Sequence, residues 1–175
     1  MILWFKCLPK KELDNFDNSW KPLIVSAYFN KHYMKFVYLL QSLLAVALIF
    51  CYLNEIIYFN IFLVIPIFLI HELLHIIIVF RLGDVSITSK SGFIWISSNA
   101  EMTKLRRCLF TSLPIIALSL APFLLSLFLP EIRYYLISVA FINLVISSFD
   151  LIWSVIILSK PRTSLFCAGY YRSRK

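Results

Sequence analysis

Glycine is nearly missing from this sequence: three in 175 residues, none inside a long apolar run. Glycine-mediated close packing of helices is therefore not expected as an organising feature. Charge is scarce as well, at 15% of residues, with only nine acidic side chains. The four cysteines, Cys7, Cys51, Cys108 and Cys167, lie far apart with no C-x-x-C pair. That spacing suggests neither a disulfide framework nor a cysteine zinc site. Internal repeats and low-complexity linkers are absent. The opening stretch, Met1 to Lys6, is too short for a signal-peptide core and no small-residue cleavage site follows, so nothing is expected to be removed.

What is present is apolar surface. Hydrophobic residues make up 61% of the chain and the mean hydropathy is +0.84. Several runs reach the length of about 20 residues that spans a bilayer, more than a water-soluble domain of this size needs. The expected fold class is an all-α integral membrane protein with four transmembrane helices, at about 36–53, 56–80, 109–129 and 132–159. Pro114 and Pro122 interrupt the third. Together with Pro66 they could kink the spans into a gate, although prolines are tolerated in many spans without that role.

The net charge of +8 would suggest nucleic acid in a soluble protein. Here the basic residues flank the apolar runs, so membrane orientation accounts for them and no nucleic-acid partner is expected. Six fall before residue 36, five in 81–108 and five from residue 160 onward, leaving only Arg133 in a turn on the other side. Both termini and the 81–108 loop are expected in the cytoplasm. The organisation is a cytoplasmic, partly interfacial segment 1–34, a four-span domain 35–160 and a cytoplasmic tail 161–175. His32 reads as a surface residue.

Within the loop, Val85-Ser86-Ile87-Thr88-Ser89 alternates apolar and polar, Lys90-Ser91-Gly92 turns, and Phe93 to Ser97 is rich in β-formers. This predicts a β-hairpin over 84–98. It is either a simple connector or a sheet edge to which an unwound substrate strand adds.

The second run contains His71-Glu72-Leu73-Leu74-His75. On a helix the two imidazoles lie four residues apart and project from one face. That spacing suits one tetrahedral metal, with Glu72 beside it to take a proton from water. A pair of core histidines is the plainer reading. Three ionisable groups in five residues of a membrane-like run are costly without a purpose, which weighs against it.

A catalytic zinc takes three protein ligands, so a third is required. Of the acidic residues only Glu72 and Asp150 fall inside the runs. Counted from the basic residues at their ends, His71, His75 and Asp150 come to nearly one level, roughly 9–15 Å deep at the helical rise. Asn143 and Ser147 share a helix face with Asp150. Asn143 is a candidate for holding the scissile carbonyl or an extended substrate, and Ser147 for orienting Asp150, although both could simply bridge helices.

This constellation, H-E-x-x-H in the second of four spans, a hairpin-like loop, then N-x6-D in the last, resembles the small zincin membrane peptidases. It is more distantly similar to the site-2 protease core. The resemblance covers about residues 35–160. It implies an intramembrane zinc peptidase with His71, His75 and Asp150 as ligands, Glu72 as base, Zn2+ as cofactor, and membrane protein or peptide substrates within the lipid bilayer. Two features depart from site-2 proteases: Leu151 stands where Gly usually follows the aspartate, and the external turns are too short for a PDZ-like insertion. A membrane metal-binding or transport protein would use the same three ligands but gives Glu72 no distinct role. An inactive scaffold retaining the motif is the other alternative.

Overall fold

The apolar runs fold as helices, the arrangement in which a segment satisfies its own backbone N–H and C=O groups without water. The computed structural model describes residues 2–5, 19–24, 27–53, 61–80, 82–83, 85–90, 93–98, 100–167 and 169–173. Helix α1 covers Ala27–Leu53 and so begins well before residue 36. Helix α2 covers Ile61–Val79, with Pro66 inside it. The start expected at residue 56 lies outside the described residues.

The third run forms one long helix from Lys104 to Leu125. It comprises α3 (Lys104–Ile115), a π turn at Ile116–Leu120, and α4 (Ala121–Leu125). Thr103 caps its start, Oγ1 accepting from the Arg106 N–H at 3.4 Å.

The fourth run differs from expectation. After a 3-10 turn at Pro130–Ile132, helix α5 (Arg133–Ile146) ends at Ser147 and helix α6 (Ser148–Leu158) leaves at an angle of 66°. The bend falls at the paired serines Ser147 and Ser148. Ser148 Oγ donates back to the Val145 carbonyl at 2.7 Å, a local bond that competes with the helical ladder and bends helices. Three helices are long and apolar enough to cross a membrane, four if the bent pair counts as one span.

The expectation of an all-α protein with one hairpin is corrected by two small sheets. The hairpin is present, β3 (Val85–Lys90) antiparallel to β4 (Phe93–Ser98), from Val85 opposite Ser98 to Lys90 opposite Phe93. Its turn at residues 91–92 lies outside the described residues. Strand β1 (Ile2–Phe5) pairs parallel to β3, Ile2 opposite Val85, so the chain's own start occupies one hairpin edge. In the second sheet the order is β2 (Lys21–Pro22), β7 (Tyr170–Ser173), β6 (Ser164–Cys167), β5 (Met102–Thr103). Segments read as an interfacial lead-in and a tail thus supply strands β1, β2, β6 and β7.

Both sheets lie at the end of the bundle where α1 and α3 begin and α2 and α6 finish, as the connections require. Val79, Val85, Met102 and Phe110 form a core joining α2, β3, β5 and α3. Leu23, Ile157 and Phe166 form a second between α6 and the four-stranded sheet, with Cys108, Trp153 and Tyr171 packed on it. The Lys104 ammonium donates to the Leu158 carbonyl at 2.7 Å and to the Lys160 carbonyl, tying the start of α3 to the end of α6. Arg106 Nε reaches the Ile78 carbonyl at 3.2 Å, where cationic donors suit the unpaired C-terminal carbonyls of α2.

The outward faces are apolar. Leu43, Val46, Phe50 and Leu53 on α1 are 61–72% exposed, and Phe62 and Ile65 on α2 76% and 63%. Left in water, each such side chain forgoes about 1.5–3 kcal/mol of burial. These faces are compatible with a membrane protein.

Candidate metal centre

The buried stripe of α2 runs Ile67, His71, His75 and Val79, four-residue steps that keep one face turned inward. His71 and His75 are only 2% and 5% exposed, and Asp150, in the first turn of α6, is 7% exposed. Asp150, in the first turn of α6 just past the 66° bend at Ser147, presents its carboxylate to the imidazoles of α2.

Three atoms then meet. His71 Nε2 lies 3.0 Å from Asp150 Oδ2, His75 Nε2 lies 3.1 Å from the same oxygen, and the two Nε2 atoms are 3.1 Å apart. Bonds of about 2.0–2.2 Å to a tetrahedral zinc place neighbouring ligand atoms about 3.3–3.5 Å apart. The observed triangle is close to that and slightly tighter.

Hydrogen bonds behind the rings decide what the triangle is made of. His75 Nδ1 is 2.7 Å from the Phe110 carbonyl, an oxygen that can only accept. In the neutral ring the proton is therefore on Nδ1, and Nε2 presents a lone pair. His71 Nδ1 is 2.9 Å from Asn143 Oδ1. The Asn143 amide cannot be turned round, because its Nδ2 donates to the Pro114 carbonyl at 3.0 Å and to Ser119 Oγ at 2.8 Å. His71 Nδ1 is thus also a donor and its Nε2 also a lone pair. With both imidazoles neutral, two Nε2 lone pairs and a carboxylate oxygen converge. Such a donor set fits a cation such as zinc, with each ligand histidine held from behind by an acceptor.

Among the described residues, His71, His75 and Asp150 form the one group of three such side chains able to hold a metal. Glu72 is half-buried and lies within electrostatic reach of His75, His71 and Asp150. Asn143 is fully buried behind His71, with Oδ1 on His71 Nδ1 and Nδ2 on the Pro114 carbonyl and Ser119 Oγ. Ser147 is fully buried at the bend, its Oγ 3.4 Å from His71 Nδ1.

Sequence reasoning missed Phe110, whose carbonyl holds His75 and whose ring lies 4.6 Å from the imidazole. It also missed Ser119 and Arg107. The Arg107 guanidinium lies 5.0 Å over the Phe110 ring and within reach of Asp150's charge. Counted only as a loop cation, Arg107 had a signal: it falls one helical turn before Phe110, inside the long helix.

A helix bearing H-E-x-x-H, completed by an aspartate from a distant helix, defines a metal-site protein of the zincin kind. Residues 64–165, more than half the chain, match the family profile described as putative zincin peptidase. The chain belongs to that family. No curated protein and no solved structure matches it, and no similarity to site-2 proteases is shown.

Proposed function

We propose that this protein is a zinc-dependent peptidase that works within the membrane, hydrolysing peptide bonds of membrane-embedded or membrane-proximal protein chains. The observation that carries the reading is the convergence of two lone-pair Nε2 atoms and Asp150 Oδ2 beside a half-buried Glu72. Zinc held there would supply a Lewis acid for water activation and carbonyl polarisation. Glu72 takes the proton of the attacking water and returns it to the leaving amine. His71 and His75 hold fixed tautomers through Asn143 and Phe110, and Asp150 balances the positive charge. Strand β4, the outer strand opposite β1, is an edge to which an extended substrate segment adds.

Support for the membrane setting comes from the apolar outward faces and the candidate spans. The orientation proposed puts both termini and the 81–108 loop in the cytoplasm, on the distribution of basic residues.

The deciding experiment is elemental mass spectrometry on chelator-free, detergent-purified wild type and Asp150→Ala. About one zinc per chain, lost in the variant, is expected by the ligand count. Wild type without metal overturns the reading. Glu72→Gln separates a peptidase from a transporter: it should keep zinc and lose cleavage of fluorescent casein in detergent. A variant that keeps both would remove Glu72 from the mechanism.

A further inference from the structure

We infer that Pro114 is a positioning residue for both histidines, acting on one through the N–H it lacks and on the other through its carbonyl. The inference rests on the metal reading of the site. In an α-helix each carbonyl accepts the N–H four residues on, so the natural partner of the Phe110 carbonyl is the N–H of residue 114. Proline has none. The Phe110 carbonyl, on a residue 5% exposed, is left with an unfilled lone pair inside the bundle, and His75 Nδ1 fills it at 2.7 Å. An N–H restored at 114 would compete with His75 for that carbonyl. His75 would then be free to carry its proton on Nε2, the atom that faces Asp150 at 3.1 Å.

The second half concerns His71. Pro114 stands just before the π turn at Ile116–Leu120, where the ladder widens and Ala121 N–H reaches back to the Ile116 carbonyl. The Pro114 carbonyl accepts Asn143 Nδ2 at 3.0 Å, and that bond orients the amide so that Oδ1 meets His71. One fully buried residue therefore stands behind each tautomer without touching either imidazole. A gate-forming kink does not account for these two bonds. Turns of the π type recur at functional sites, and this one directly follows the carbonyl that aims Asn143.

The test is cobalt binding by the full-length, detergent-purified apoprotein, followed by visible absorption, for wild type, Pro114→Ala and Pro122→Ala. Pro122→Ala restores a helix N–H in the same run without serving either histidine. Pro114→Ala should bind cobalt at least about tenfold more weakly and with an altered spectrum, in the range seen when partners behind a ligand are lost. Its apoprotein should melt no lower than wild type, because an interior proline is replaced by the best helix former. Pro122→Ala should match wild type in affinity and spectrum. Wild-type affinity and spectrum in Pro114→Ala would overturn the assignment. So would weaker binding shared by Pro122→Ala or accompanied by a lower apoprotein melting temperature, which would indicate general damage to the helix. Should the alanine variant not fold, Pro114→Ser restores the same N–H and is read the same way. Failure of wild type to bind cobalt would instead sink the metal reading itself, an outcome distinct from the others.

Discussion

Asn143 shows what residue type alone reveals and what it hides. An asparagine seven residues before a ligand aspartate reads equally as a substrate contact or as a support, and only the partners of its amide decide. With Oδ1 accepting from His71 and both Nδ2 hydrogens on Pro114 and Ser119, the amide is held from three sides inside the protein. Asn143→Ala should therefore lower zinc affinity by about 10–100-fold, as loss of a partner behind a ligand does. Competition against a chromogenic chelator measures it. A substrate-binding role would instead raise KM while leaving zinc affinity unchanged. His71, His75 and Asp150 were legible beforehand because few side chains can bind a metal and elimination leaves only one at the right depth. Phe110 was not, since the group that matters is a main-chain carbonyl, which every residue has. Ser119 was hidden because serines in apolar helices usually bond back to their own helix, as Ser138 does to the Tyr134 carbonyl at 2.6 Å.

Among the elements, the helices were readable from hydropathy, and the hairpin from its alternation and its Gly-containing turn. The bend at Ser147 was not, because a hydropathy run carries no angle; its trace was the Ser147-Ser148 pair. The four-stranded sheet was illegible for another reason. Strands β2 and β5 are two residues long, below any periodicity, and pair with strands near the far end of the chain. Strand β6 nevertheless sits in the middle of that sheet with Phe166 fully buried against Leu23 and Ile157. Phe166→Ala should cost about 3–5 kcal/mol, the usual range for emptying a buried aromatic site. Thermal unfolding in detergent would register it as a large fall in melting temperature. A dangling tail would show no change. The same substitution should leave zinc stoichiometry intact in protein that remains folded, since β6 contacts no ligand.

Across the whole molecule, the triangle of His71, His75 and Asp150 is also a brace. His71 and His75 come from α2 and Asp150 from α6; behind them His75 is tied to α3 through Phe110, and His71 to α5 through Asn143. Four helices therefore meet at one point, where, with both imidazoles neutral, three electron donors are drawn together by a cation. Ser154 Oγ to Thr111 Oγ1, at 2.8 Å, is a further polar tie between α6 and α3, which a cation does not affect. Removing metal should thus loosen the tie between Asp150 of α6 and the two histidines of α2 while α3 and α6 stay joined. Binding to the folded state alone stabilises by RT ln(1 + [M]/Kd), about 2.7 kcal/mol at a hundredfold excess over Kd. Melting of purified protein, with and without a zinc chelator, should show the wild type losing stability on chelation and regaining it with added zinc. Asp150→Ala should melt at one temperature whatever the zinc concentration, because its site no longer has three ligands. Zinc-dependent melting that persisted in Asp150→Ala would place the ion elsewhere on the chain and separate the H-E-x-x-H helix from the aspartate that the bent fourth run brings to it.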